Sequence, residues 1–189
     1  MNVGPVTRET LLLRIRDRGN DEAWKQFVDA YAPVIQTYAC RKGLQASDAA
    51  DVTQNVMKQI ASVIDGFDYD RNRGQFRGWL HTLTRNQVVN FQKRHHKHRG
   101  TGDTAVQQLL AAQPASDADA NEWEIVYRQQ LMSYAMHQVR PEFSDHHWQA
   151  FELTAIGHLR PADVAKKIGL SVGAIYVAKS RVIARLREC

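Results

Sequence analysis

Within residues 160–189, seven Lys/Arg stand against only Asp163 and Glu188. Their neighbours have the chemistry of a tight turn between two helices. Pro161 suits a first helical turn, where its missing N–H is no loss. Ala165 is small enough to let two helices cross. Gly169 can take the left-handed conformation that ends a helix. Ser171 can then cap the next one by accepting from its free N–H groups. Ile175, Val182 and Leu186 recur at helical spacing and predict a buried stripe. Gly173, Tyr176, Val177, Ser180, Arg181 and Ala184 face away from it. A helix that enters a DNA groove needs this slim mixed face, with positive charge beside it for phosphates. The segment therefore predicts a DNA-reading helix-turn-helix. An ordinary short-turn helix pair with a solvated basic face would need the turn residues but would leave the charge without a task.

The net charge of +5 is laid out in blocks. Residues 71–99 hold eight Lys/Arg and no acid, whereas residues 100–159 hold eight acids against Arg128 and Arg140 alone. Two basic blocks separated by an acidic one point to two contacts with a polyanion. His95, His96 and His98 lie inside the first block. The cations Lys93, Arg94, Lys97 and Arg99 around them would repel a metal ion, so they read as an extension of the basic face and no metal site is expected.

The elements that must position these residues read as helices throughout. Asn20 or Asp21 can cap a helix whose core face is Trp24, Phe27, Val28, Tyr31, Val34, Ile35 and Tyr38, with a kink or boundary expected near Pro33. Ser47 or Asp48 starts another, carrying Val52, Val56, Ile60 and Ile64 on one face. After a turn-rich loop from Gly66, a helix is predicted from about Gln75 to Lys97 with Phe76, Leu80, Leu83, Val88 and Phe91 apolar. Trp79 and Leu80 read as core at this spacing. Residues 100–121 are rich in Ala, Asp, Gln and Gly and hold no aromatic, which predicts a linker. Helices resume at Trp123, break at Pro141, and restart at Ser144 or Asp145 to run to Gly157.

Several function classes are excluded or disfavoured. The chain has no phosphate loop, zinc-protease motif or nucleophile elbow, so an enzyme is not expected, and no cofactor is implied. Cys40 and Cys189 make neither a disulfide framework nor a structural zinc site. No apolar run reaches membrane length, and residues 1–10 lack the apolar stretch of a secretory leader, so a cytoplasmic protein without membrane insertion is expected.

Four features in order carry a family resemblance: Asp48–Asp51 with Gln54 and Asn55 on a helix, the Phe76-Arg-Gly-Trp-Leu stretch running to Arg85-Asn86, the polar linker, and the Ser171–Leu186 pattern. Together these resemble an RNA polymerase sigma factor of the extracytoplasmic-function type, in the sigma-70 family. The opening residues and the Ile175–Val182 variant also resemble a planctomycete subset. The resemblance implies an all-α fold of two small domains, sigma region 2 over residues 1–98 and sigma region 4 over 122–189, joined by a linker at 99–121.

The resemblance also implies roles. Asp48, Asp51, Gln54 and Asn55 would dock on the β′ clamp of core polymerase. Three of them, Asp48, Asp51 and Asn55, lie three to four residues apart on one helix face. Ala50 and Asn55 stand where the family commonly has Glu. Thr53 lies inside this motif, and a phosphate there would add the missing acid. Arg71, Asn72, Arg73 and Gln75 would form the pocket for a flipped base of the −10 element. Asn86 would lie near it, and Arg85, Lys93 and Arg94 would meet phosphates. Tyr176, Val177, Ser180 and Arg181 would read the −35 element, with Lys179 nearer the edge for phosphate. Tyr176 and Val177 favour apolar contact, for instance with a thymine methyl. The partners implied are core polymerase (β′ clamp and β flap), promoter DNA and an anti-sigma factor. The alternative is a helix-turn-helix regulator that is not a polymerase subunit. It would explain the C-terminal third but not residues 20–98, which resemble neither a ligand pocket nor a dimer helix.

The low hydrophobicity of residues 100–121 predicts that limited proteolysis of the free protein cuts there first. Protection of the whole stretch without a partner would count against a linker.

Overall fold

A computed structural model of the chain describes residues 9–17, 19–64, 75–98 and 116–188. Eight α-helices and no strand occur among them, in line with the all-α class expected. Contacts divide the chain into two compact units, with the boundary between Leu131 and Met132.

In the first unit, α1 (Glu9–Arg14) leads to α2 (Asp21–Arg41). The Asn20 side chain caps α2, accepting from the Ala23 N–H at 3.0 Å. Asp21 and Glu22 in its first turn favour the positive end of the helix. Phe27, Ala30, Tyr31, Val34, Ile35 and Tyr38 are buried, whereas Trp24 is half-buried and Val28 is exposed. Of the kink or boundary expected near Pro33, the boundary is absent: α2 runs through it. Pro33 lies on the exposed side, while the apolar residues before and after it are buried. That burial outweighs one lost backbone bond at the surface.

Gly43, at φ +90°, turns the chain toward α3 (Ala46–Val63). Ala49, Val52, Thr53, Val56 and Ile60 form its buried stripe, packed on α2 and on α4 (Gln75–His98). From α4, Phe76, Leu80, Leu83, Thr84 and Val88 are buried. Trp79 is only half-buried, so of the two neighbours expected in the core Leu80 alone is fully there. Phe76 meets Tyr31 and Phe27 edge-on, at ring distances of 5.2 and 6.0 Å.

Helix α5 (Asp117–Val139) begins before Trp123, where the sequence placed its start. Its residues up to Leu131 belong to the first unit, and Trp123, Val126, Tyr127 and Leu131 are buried there. Its remainder opens the second unit. A 3₁₀ turn at Arg140–Glu142 carries Pro141, followed by α6 (Asp145–Phe151) and a wide π turn at Glu152–Ile156. In that turn the Gly157 N–H reaches the Glu152 carbonyl at 2.8 Å. Then come α7 (Pro161–Ile168) and α8 (Val172–Glu188).

Gly169 joins the last two helices at φ +71°, and Pro161 occupies the first turn of α7, both as the sequence predicted. The Ser171 hydroxyl accepts from the Ala174 N–H at 3.1 Å. Ala165 packs with Ala150, Val164, Ile175 and Ala178, while Val182 packs with Val139, Trp148 and Phe151. Leu186 is only partly buried against this second cluster. The Arg185 guanidinium donates to both Glu142 carboxylate oxygens at 2.6 and 2.8 Å, tying α8 to the 3₁₀ turn.

The contrast between Phe76, 1% exposed, and Tyr176, 58% exposed, sets an expectation for stability. Phe76→Ala is expected to cost about 3–5 kcal/mol by emptying an aromatic core, and Tyr176→Ala no more than about 0.5 kcal/mol. Urea denaturation followed by circular dichroism measures both, and equal losses would contradict this packing.

Candidate nucleic-acid interface

The burial of one α3 stripe leaves another outward. Asp51, Gln54 and Asn55 are exposed and Asp48 is half-buried. A single helix thus gathers all four residues expected at a partner face. Thr53 does not join them. It is 7% exposed, and its hydroxyl donates to the Ala49 carbonyl at 2.7 Å. A kinase would have to unpack the helix to reach it, which removes the phosphorylation idea.

Arg71, Asn72 and Arg73, expected to form a base pocket, lie outside the described residues, as do the side chains of Gln75, His95, His96 and His98. Of the rest on α4, Asn86 and Arg94 are exposed and Lys93 is half-buried. Asn86 and Lys93 are seven residues apart and share a helix face. Phe76, a tempting base-stacking platform by type, is sealed in the core.

Arg85 has a different setting. Its side chain is 20% exposed and turned to Asp119, with Nε 3.5 Å from the carboxylate. Asp119 is the centre of a polar cluster. Its Oδ1 accepts from the Tyr38 hydroxyl at 2.8 Å and from Lys42 Nζ at 2.5 Å, and its Oδ2 lies 3.2 Å from His81 Nε2. Lys42 also reaches Glu122 at 2.5 Å, and Arg77 donates to Glu124 at 2.9 Å. The His81 ring stacks on Trp123 with centroids 5.0 Å apart, and the Tyr38 ring meets Trp123 edge-on at 5.2 Å. Trp123 Nε1 is buried with no hydrogen-bond partner among the described residues.

Burial lowers the His81 pKa, with help from the nearby Arg85 and Lys42 charges against the opposing pull of Asp119. Burial alone would raise Asp119, but its hydrogen bonds from Lys42 and Tyr38 outweigh that and hold it below 3.8. Burial together with the Asp119 hydrogen bond pushes the Tyr38 hydroxyl strongly upward, so it stays a donor.

This cluster was missed from sequence because Asp119 stood in a stretch read as linker. A signal was present: Ser116 and Asp119 are spaced as a capping box before an apolar run, Trp123, Val126, Tyr127 and Leu131. In the structure Ser116 Oγ accepts from the Asp119 N–H at 3.2 Å.

In the second unit, Tyr176, Val177, Ser180 and Arg181 are exposed on α8, and Lys179 is half-buried. Ile175, Ala178 and Val182 point inward. Val172, 42% exposed, adds to the apolar part of the outer surface. No group of three or more potential metal ligands gathers among the described residues, and no described helix is long and apolar enough to cross a membrane.

Residues 27–98 match the family model for Sigma-70 region 2. No curated protein matches the chain. The match takes in most of α2 together with α3 and α4, so this part of the chain is similar to region 2 of the sigma-70 transcription initiation factors. A sigma-70 region 2 implies a role in binding RNA polymerase and recognising promoters.

The His81–Asp119 cluster makes stability depend on pH. His81 binds a proton less readily when folded, so its contribution is complete above 6.5 and is lost as pH falls below that value. Asp119 adds a second loss below 3.8. Urea midpoints measured from neutral pH to pH 5 are expected to fall, and His81→Phe is expected to flatten that part of the profile. An unchanged slope in His81→Phe would contradict the assignment.

Proposed function

We propose that this chain, with its sigma-70 region 2 at residues 27–98, is an alternative sigma factor of the extracytoplasmic-function type, acting in the cytoplasm. The observation that carries the reading is the outward face of α3, where Asp51, Gln54 and Asn55 stand exposed beside Asp48 inside the matched region. This face would dock on the β′ clamp of core polymerase. Exposed acids and amides on a rigid helix offer a basic clamp both charge and hydrogen-bond partners without a folding cost.

The −10 element would be opened and read by α4 and the segment before it, through Arg71, Asn72, Arg73, Gln75 and Asn86. Arg85, Lys93 and Arg94 would meet phosphates. An exposed amide such as Asn86 both donates and accepts, which suits a base edge. The second unit would act as region 4, with α7 and α8 as a helix-turn-helix and the β flap as its polymerase partner. Tyr176, Val177, Ser180 and Arg181 would enter the major groove at the −35 element while Lys179 neutralises a phosphate. An anti-sigma factor is the kind of regulator that would cover such faces.

Charge reversal at Asp51 combined with Gln54→Ala is expected to weaken capture of core polymerase by at least about tenfold, with the circular dichroism spectrum unchanged. Unchanged capture would sink the docking face and return the chain to the alternative of a regulator that is not a polymerase subunit. For the −35 face, Arg181→Ala and Tyr176→Ala are each expected to relax preference at one base position by about 1–3 kcal/mol, and Lys179→Ala to weaken all promoters alike. Transcription from a randomised −35 library measures this. Unaltered preference in both of the first two variants would place the reading face elsewhere.

A further inference from the structure

The acids of α5 are paired with cations of the proposed DNA-binding unit. Arg77, His81 and Arg85 lie at successive four-residue steps along α4, forming one stripe. Each end of the stripe meets a carboxylate of α5: Arg77 meets Glu124 at 2.9 Å and Arg85 meets Asp119 at 3.5 Å. From the C-terminal cap of α2, Lys42 sits between Asp119 and Glu122 at 2.5 Å from each. Three cations are thus neutralised by three acids from the acidic block, all within one compact unit.

The arrangement is held by more than charge. Trp123 and Tyr127 of α5 are buried, Trp123 against Tyr38 and His81, and the Arg77 guanidinium lies over the Tyr127 ring at 5.8 Å. A purely electrostatic contact at an exposed surface would be weak and easily exchanged for solvent. Aromatic anchors make this one a definite bound state.

We infer that the first half of α5, Asp119 to Tyr127, is an internal polyanion mimic that occupies Lys42, Arg77 and Arg85 and competes with nucleic-acid phosphates for them. The inference rests on the sigma-factor reading and gives that reading a means of restraint. A phosphate track needs cations able to exchange counterions for phosphates. Here Arg85, a residue expected to meet DNA, is spent on Asp119. Asn86 and Arg94 stay exposed elsewhere on the same helix, so the free protein keeps those groups open while Arg77 and Arg85 are paired. Engaging nucleic acid along the full stripe requires the α5 carboxylates to move off, with the Trp123 and Tyr127 anchors resisting.

The test compares full-length proteins by fluorescence anisotropy with a labelled short random-sequence duplex across a salt series. The variant is Asp119→Asn/Glu122→Gln/Glu124→Gln. A second protein, Asp21→Asn/Glu22→Gln/Asp29→Asn, removes the same number of acids from the exposed side of α2. The α5 variant is expected to bind at least about tenfold tighter than wild type at low salt. Its plot of log affinity against log salt should steepen by up to about 2–3, near 0.9 for each additional phosphate neutralised. Wild-type affinity and slope in the α5 variant would overturn the inference. An equal gain in the α2 variant would also overturn it, since net charge would then be the cause. If loss of the half-buried Asp119 prevents folding, Glu122→Gln/Glu124→Gln leaves it in place and is expected to show a smaller gain in the same direction, with no gain overturning the proposal. Capture of core polymerase by the wild-type protein is measured alongside. Failure of capture counts against the sigma-factor reading, whereas normal capture with no gain in DNA binding counts against the mimic alone.

Discussion

A half-buried carboxylate cannot stay charged without partners, and Asp119 has four groups around it: Tyr38, Lys42, His81 and Arg85. Those groups come from α2, its C-terminal cap and α4, which are far from Asp119 in sequence. The carboxylate therefore fixes three helices at one point. The aromatic rings beside it supply the apolar burial that polar contacts alone do not provide. Tyr38 serves both purposes, since its ring meets Trp123 while its hydroxyl donates to Asp119. The energetic logic is conditional, because removing any one member strands a neighbour in a partly dry place. Such a network favours a single arrangement of the helices over near alternatives.

The same cluster separates what could be read from the sequence from what could not. Helix faces were legible wherever apolar residues recur strongly. Ile175, Val182 and the α3 stripe lie where their periodicity put them, and Gly169, Pro161, Ser171 and Asn20 play the local parts their chemistry suggests. These are short-range properties, set within a turn or two of the chain. Pro33 does not end α2, because burial on the opposite face of the helix outweighs one missing bond. Asp119 defeated composition because a polar, alanine-rich stretch differs little from the first turns of a helix whose anchors come later. Its partners lie 81 and 38 residues away, at Tyr38 and His81, and single-sequence spacing carries no information about them.

For the candidate site, the sequence supplied residue types and faces, and the structure supplied occupancy. Asp51, Gln54 and Asn55 are outward on α3, as are Tyr176, Val177, Ser180 and Arg181 on α8. Exposure of this kind follows from the buried stripe opposite, so periodicity suffices to find it. That Arg85 already has an anionic partner could not be found the same way. A basic residue on a helix looks identical in sequence whether its charge meets water, DNA or an internal carboxylate.

The π turn at Glu152–Ile156 invites the question of what aims α8. One residue of α-helix corresponds to about 100° of rotation about the axis. A π turn holds one residue more than an α-helical turn would, and here Thr154 is buried within it. A residue added to a regular helix would swing everything beyond it by that angle, but a π turn takes up its extra residue locally. The bearing of α8 is set instead by contacts that bypass the turn, since Ile175 packs with Ala150, Val182 with Trp148 and Phe151, and Arg185 holds Glu142, all upstream of it. A change of one residue in the turn therefore alters the local path of the chain, while the outward direction of Tyr176 and Arg181 stays fixed by the packing on their reverse side.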